Sequence, residues 1–239
     1  LMEGFGKKGE ISTKFEGELV TDSDLKSEER IIDTIRGECP DHSITTEERG
    51  VLKGCSDYTW IVDPMDGTHN FIHDLPYFGV SIALEHRKHI VLSVVNLPYF
   101  KELYVAEKGK GAYLNGTRIS VSKRTLKESL LLHESKLREI GESAMARFRD
   151  LADLVSDVRI FGAATISLTS IASGKAEAYL AYRIKPGDIA GGCLILEEAG
   201  GRVTNSRGAL WNPYMRDVVA TNGRIHEEVL KLLGHRLVI

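Results

Sequence analysis

The segment Asp63-Pro64-Met65-Asp66-Gly67-Thr68 follows the apolar run Trp60-Ile61-Val62 and crowds two carboxylates against a glycine and a threonine. Proline sets its own φ and restrains the residue before it, so the direction of Asp63 is constrained. Two carboxylates this close repel each other unless something positive lies between them. One reading is an ordinary surface turn, because Asp, Pro and Gly are common turn formers. The other is a site for a hard divalent cation, since Mg²⁺ takes a few acidic ligands together with substrate phosphate and water. Gly67 would allow close backbone approach. The amides of Gly67 and Thr68 would open a helix through residues 68–75 and face phosphate oxygens.

Two further acidic segments bear on the choice. Glu47-Glu48 in ITTEERG stand at the end of a strand or loop, and Asp188 in KPGDIAGG stands at a helix start. Each has a plain alternative: a solvated acidic pair for the first, an N-cap aspartate for the second.

The elements that must position these groups follow from periodicity. Residues 19–35 carry Leu25, Ile31, Ile32 and Ile35 at helical spacing behind Thr, Ser and Asp, which predicts a helix starting near Ser23. Residues 59–63 read as a short strand stopped by Pro64. Residues 78–86 and 89–97 read as strands joined by a tight turn at Arg87-Lys88. Residues 102–122 continue the meander, with Asn115-Gly116 as a hairpin turn. After about residue 125, expected helices at 139–155, 162–173, 188–199 and 224–233 alternate with strands near 157–161, 176–182, 201–204 and 217–221. The expected architecture is α+β: an antiparallel-sheet N-terminal half over 1–125 carrying most of the acidic residues, and a mixed or parallel α/β half over 126–239 carrying Asp188. The opening residues, LMEGFGKKG, read as the tail of a helix closed by glycines, which would place further chain upstream.

The totals narrow the function. A chain of 239 residues holds a substantial core, and 42% hydrophobic with 27% charged residues fits a globular protein. No apolar run approaches a membrane span, and a net charge of −3 gives no overall reason to bind nucleic acid or anionic lipid. Three scattered cysteines, Cys39, Cys55 and Cys193, suggest neither a disulfide framework nor a zinc site and fit a reducing cytoplasm.

Taken together, DPMDGT (63–68), the upstream Glu47-Glu48, and Asp188-Ile-Ala-Gly followed by Glu198-Ala-Gly-Gly resemble the inositol monophosphatase family. That family belongs to a larger group of Mg²⁺-dependent, lithium-sensitive phosphatases that includes fructose-1,6-bisphosphatases. The resemblance extends through ELVTDSD (18–24), FGVSIAL (78–84), GKGAYLNGTRISVS (109–122) and GAATISLTSIASGKAEAY (162–179). It implies a layered α-β-α-β-α sandwich, two or three Mg²⁺ ions, a small phosphate ester as substrate and a homodimer. It also implies one metal held by Glu47, Asp63 and the carbonyl of Met65, and a second held by Asp63, Asp66 and Asp188. Thr68 would help activate the attacking water with Asp24 as its acidic partner and Glu47 nearby. Asp66 would hold the water that protonates the leaving oxygen. Gly67 and Thr68 would cradle phosphate, and Gly162, Ala163, Ala164 and the stretch 181–185 would face the leaving group.

Other motifs compete less well. Haloacid-dehalogenase-type phosphatases need Asp-x-Asp, and here the spacing is Asp-x-x-Asp. His69 and His73 lie four apart, but no HExxH frames them. The glycines of EKGKGAY lack a Walker lysine–threonine pair. Within the resemblance, many inositol-selective members place a ring-gripping glutamate near Ala181, and this chain has none there. Arg183 and Lys185 instead add positive charge that would suit a second phosphate, with two solvated surface cations as the plain alternative. The expected reaction is hydrolysis of inositol 1-phosphate, with fructose 1,6-bisphosphate close behind and adenosine 3′,5′-bisphosphate weaker. A non-catalytic regulatory scaffold stands as the reading from another class.

Overall fold

The computed structural model describes residues 1–7, 11–13, 19–135 and 141–234. Its elements are β1 (Ile11–Thr13), β2 (Leu19–Thr21), α1 (Asp22–Glu38), β3 (Ser43–Thr46), β4 (Gly50–Leu52), β5 (Tyr58–Asp66), α2 (Thr68–Ile72), β6 (Gly79–His86), β7 (His89–Leu97), β8 (Glu102–Glu107), β9 (Gly111–Leu114) and β10 (Thr117–Arg118). A short 3-10 turn at Leu126–Glu128 leads into β11 (Leu130–His133), α3 (Glu142–Ala152), β12 (Asp157–Arg159), α4 (Ala164–Ala172), β13 (Ala178–Tyr182), α5 (Pro186–Glu198), β14 (Arg202–Thr204), β15 (Asp217–Thr221) and α6 (His226–Leu232).

Eight strands form one sheet in the order β10-β9-β8-β7-β6-β5-β3-β4, antiparallel at every pairing except β3 with β5. Five form a second sheet in the order β12-β11-β13-β15-β14, parallel around β11 and antiparallel around β15. The C-terminal half is therefore mixed. Helix α1 packs on one face of the large sheet, α4 and α5 lie between the two sheets, and α3 and α6 cover the far face of the small one. Five layers result, as the resemblance implies. Being enclosed on both sides, α5 is apolar around its whole circumference, with Ile189, Ala190, Cys193, Leu194, Ile195 and Leu196 all buried.

Several boundaries differ from the sequence reading. Strand β5 does not stop at Pro64 but runs to Asp66, because its register with β6 slips between Asp63 and Asp66. The proline, which has no N–H to give, falls inside that irregularity and so removes no ladder bond. Helix α1 begins one residue earlier than expected, capped by Thr21. Residues 1–7 form successive turns, with Gly4 N and Phe5 N bonded to Leu1 O; the rest of the expected opening helix lies outside the described residues. The start of the expected helix at 139–155 does too, and α3 occupies its middle. The tight turns stand where expected: Arg87 and Lys88 both take positive φ, as do Asn115 and Gly116. No helix among the described residues is long and apolar enough to cross a membrane.

Candidate active site

A cleft of about 1160 Å³ opens where the ends of β3, β5 and β13 meet the first turns of α2 and α5. The parallel pairing of β3 with β5 sets Thr46 opposite Val62, so the next residues, Glu47 and Asp63, stand side by side where that pairing ends. The irregularity after Asp63 then turns Asp66 toward the same space, and α5 delivers Asp188 from its first turn. Glu47, Asp63, Met65, Asp66, Gly67, Thr68, Gly162, Arg183, Lys185 and Asp188 all line this cleft. Residues as far as 141 positions apart in sequence (Glu47 and Asp188) thus share one wall.

The electrostatics show how strained this grouping is. Burial pushes the Asp63 carboxyl well above the usual carboxylate range, and the charges of Glu47, Asp188 and Asp66 push it further. Asp66 is raised by burial and by Asp188, against the opposing pull of two hydrogen bonds from Thr165. Among the described residues no three His, Cys, Asp or Glu side chains close on one point as a ready-made cage. Each carboxylate instead engages protein donors. Met65 N donates to Asp63 Oδ1 at 2.9 Å, Thr165 N and Oγ1 each donate to Asp66 Oδ2 at 2.6 Å, Lys185 N donates to Asp188 Oδ2 at 3.2 Å, and Lys185 Nζ pairs with Glu47 Oε1 at 3.2 Å. The donor set fits divalent magnesium in chemistry: carboxylates and a carbonyl, all hard oxygen, mutually repelling and open to a cleft large enough for water and phosphate. The three cysteines stay outside it.

Around this centre, α1 acts as a brace. Asp24, at the third position of the helix, accepts from Thr21 N (2.8 Å) and Thr21 Oγ1 (2.6 Å) through Oδ2. Its other oxygen, Oδ1, lies 3.0 Å from Thr68 Oγ1, which is also 3.0 Å from Met65 O. One turn on, the buried Glu28 accepts from Glu48 N (3.0 Å) and Arg49 N (3.2 Å), tying down the loop that carries Glu47. Ser27 Oγ donates to Pro64 O. Gly67 takes φ +91°, and a Cβ there would sit 2.5 Å from Tyr77 O, so only glycine makes this corner.

The site differs from expectation at several residues. The plain alternative for Asp188 does not hold, since Lys185 is the N-cap and Asp188 reaches back from the third helical position to its amide. Ala163 and Ala164, expected at the leaving group, are buried in the core behind the cleft; of that segment Gly162 lines the wall. The reason is the entry into α4, where Thr165 turns toward Asp66 and carries the two alanines inward. His69 is an exposed rim residue and His73 caps α2. Thr165, Glu28, Glu134 and Arg216 escaped the sequence reading. Only the [Thr]-x-x-Asp-x-x-x-Glu spacing of α1 could have flagged one of them, Glu28, as sharing a helix face with Asp24.

The sequence profile described as "Inositol monophosphatase family" matches residues 1–236. The "Fructose-1,6-bisphosphatase/inositol-1-monophosphatase" of Aquifex aeolicus is 37% identical over 238 residues, covering 97% of this chain and 89% of that protein. The "Nus factor SuhB" of Pasteurella multocida is 36% identical, covering 96% and 88%. The solved structure of the Thermotoga maritima IMPase superposes with a TM-score of 0.89 at 34% identity, covering 98% of this chain and 90% of that one.

Proposed function

The chain belongs to the inositol monophosphatase family and is a phosphoric monoester hydrolase; from that premise we propose that it hydrolyses a small polyol or sugar phosphate with Mg²⁺, inositol 1-phosphate first among candidates. The observation that carries this is Asp63, buried at the end of β5 in the field of Glu47, Asp66 and Asp188 and opening on a cleft beside Gly67 and Thr68. Four anions around one cavity are a poor design for anything except cations.

In this reading Glu47, Asp63 and the Met65 carbonyl would hold one ion, and Asp63, Asp66 and Asp188 a second. Bound Mg²⁺ would lower the pKa of water, neutralise phosphate charge and stabilise the departing alkoxide. The chain's own part is positioning. Gly67 and Thr68 offer backbone amides to the phosphoryl oxygens. Thr68 Oγ1 accepts a hydrogen bond from the attacking water while its own proton is directed to Asp24 Oδ1, and the capped Asp24 stays fixed by Thr21. Asp66, clamped by Thr165, keeps one oxygen toward the cleft, where it holds the water that returns a proton to the leaving oxygen. No side chain becomes phosphorylated.

Arg183 and Arg216 both line the outer cleft, and Ile184 N donates to Arg216 O, which keeps their backbones adjacent. That cationic rim favours a second reading: dual action on inositol 1-phosphate and fructose 1,6-bisphosphate, the pair of activities in the name of the Aquifex aeolicus relative. Phosphate release from both substrates, with Mg²⁺ and with chelator, tests the proposal. Absence of Mg²⁺-dependent release from either would overturn it. No phosphate release from fructose 1,6-bisphosphate by the wild type would remove the second reading, and a bisphosphate preference that survives in Arg183→Ala would remove Arg183 from it.

A further inference from the structure

We propose that Glu134 determines leaving-group specificity, accepting a hydrogen bond from a hydroxyl of a polyhydroxylated alcohol such as a sugar or cyclitol. The inference rests on the phosphatase reading above and deepens it. Strand β11 runs parallel to β13 with His133 opposite Leu180, and Glu134 N donates to Leu180 O at 3.0 Å. The next step in register sets Glu134 abreast of Ala181. Strand alternation puts Leu132 and Glu134 on the same face as Tyr179 and Ala181. Leu132, Tyr179 and Ala181 all belong to the core that faces α4 and α5. Glu134 is the residue at which that face passes from core into cleft. Ala181 contributes only a methyl group there, so the acid comes from the neighbouring strand.

The carboxylate is fixed on both sides. Tyr179 Oη donates to Oε2 at 2.6 Å, and Ser135 N and Oγ donate to Oε1 at 2.7 and 2.8 Å. Tyr179 is wholly buried, and burial together with the charge of Glu134 holds its phenol protonated, a permanent donor. A carboxylate has about four acceptor positions; three are filled by protein, and the remaining one can serve a donor in the cleft. A phosphate would be repelled by it. A hydroxyl is the complementary group, and a site built to bond a hydroxyl rejects analogues lacking one.

The test compares wild type, Glu134→Ala, Glu134→Gln and Tyr179→Phe in Mg²⁺ on inositol 1-phosphate and on p-nitrophenyl phosphate, whose leaving group carries no hydroxyl beyond the ester oxygen. The quantity read is the ratio of kcat/KM for the two substrates. We expect that ratio to fall about 10- to 100-fold in Glu134→Ala, mainly through KM for the polyol ester, and less in Tyr179→Phe. Glu134→Gln keeps the shape and an acceptor oxygen, and carries the test if the alanine variant unfolds; its ratio should fall in between. A ratio within twofold of wild type in both Glu134 variants would overturn the assignment. So would an equal loss on both substrates with a raised Mg²⁺ requirement, which would place Glu134 with the metal ligands instead. A wild type that hydrolyses neither ester overturns the phosphatase reading itself; one that hydrolyses both with an unmoved ratio overturns only the role of Glu134.

Discussion

Lys185 Nζ lies 3.2 Å from Glu47 Oε1, pairing the residue that caps α5 with the residue that follows β3. The ammonium therefore stands against a carboxylate that the proposed metal arrangement also needs. Cation binding at Glu47 must displace or share that contact.

Lys185→Met keeps the aliphatic stem and removes the charge. A partly exposed pair of this kind is worth about 0.2–1 kcal/mol. The concentration of Mg²⁺ giving half-maximal activity should drop up to about fivefold, and calorimetric titration with Mg²⁺ should move in step. Weaker Mg²⁺ binding in the variant would mean that the lysine orients Glu47 instead of competing for it.

Asp63→Asn separates charge from shape. Activity should fall at least about a thousandfold, the equivalent of several kcal/mol of lost charge stabilisation. Stability in chelator should hold or rise, because burial and the charges of Glu47, Asp188 and Asp66 make the ionised carboxylate costly. The sign follows from linkage. The folded-state pKa lies above the unfolded one, so protonated Asp63 favours the folded chain at low pH. That contribution is lost as pH rises through the folded-state value. Melting curves in chelator across pH should show this slope in wild type and a shallower one in the variant, where Asp66, also raised by burial and Asp188, still titrates. A variant with wild-type turnover would contradict the two-metal arrangement.

Thr68 and Asp24 act as a unit if the hydroxyl relays to the carboxylate. Thr68→Val should cost about 10²–10⁴-fold in kcat, within the range of positioned proton transfer, whereas Thr68→Ser should retain most activity. Asp24→Asn combined with Thr68→Val should cost little more than the worse single change, since residues working through one contact are non-additive. Additive losses would show that the two act separately.

What the sequence made legible divides along chain distance. Local chemistry was readable: a helix start within one residue of that of α1, the turns at Arg87-Lys88 and Asn115-Gly116, and the alternation of strand and helix after residue 125. The acidic residues of the cleft stood out only as a set, because each alone matches a common surface role. Strand β11 was missed: Leu130–His133 is a short apolar run with no turn signal on one side, and it owes its place to pairing with β12 and β13. Contacts such as Thr165 with Asp66, 99 residues apart, arise only once α4 is packed against the large sheet. Glu134 belongs to the same class. Its partners are set by the register of two strands more than forty residues apart, which no local pattern encodes.

His226 offers a stability prediction away from the cleft. Thr204 Oγ1 donates to Asn205 O, so it accepts from His226 Nε2 at 3.0 Å; Thr221 Oγ1, 2.9 Å from Nδ1, then donates to the ring. This arrangement needs a neutral imidazole with its proton on Nε2. A second proton on Nδ1 would face the Thr221 hydroxyl and force it to turn. Burial, then the charge of Arg202, push the imidazole down to about 4, with Glu227 opposing weakly. An unfolded histidine titrates near about 6.5. Between those values the unfolded chain takes a proton that the folded chain refuses, so stability is full above the unfolded value and declines as pH falls toward about 4. His226→Gln can satisfy both threonines without titrating. Melting temperatures measured from pH 7.5 down to about 4.5 should therefore fall more steeply for wild type than for the variant. Parallel curves would show that the acid sensitivity of the fold originates elsewhere.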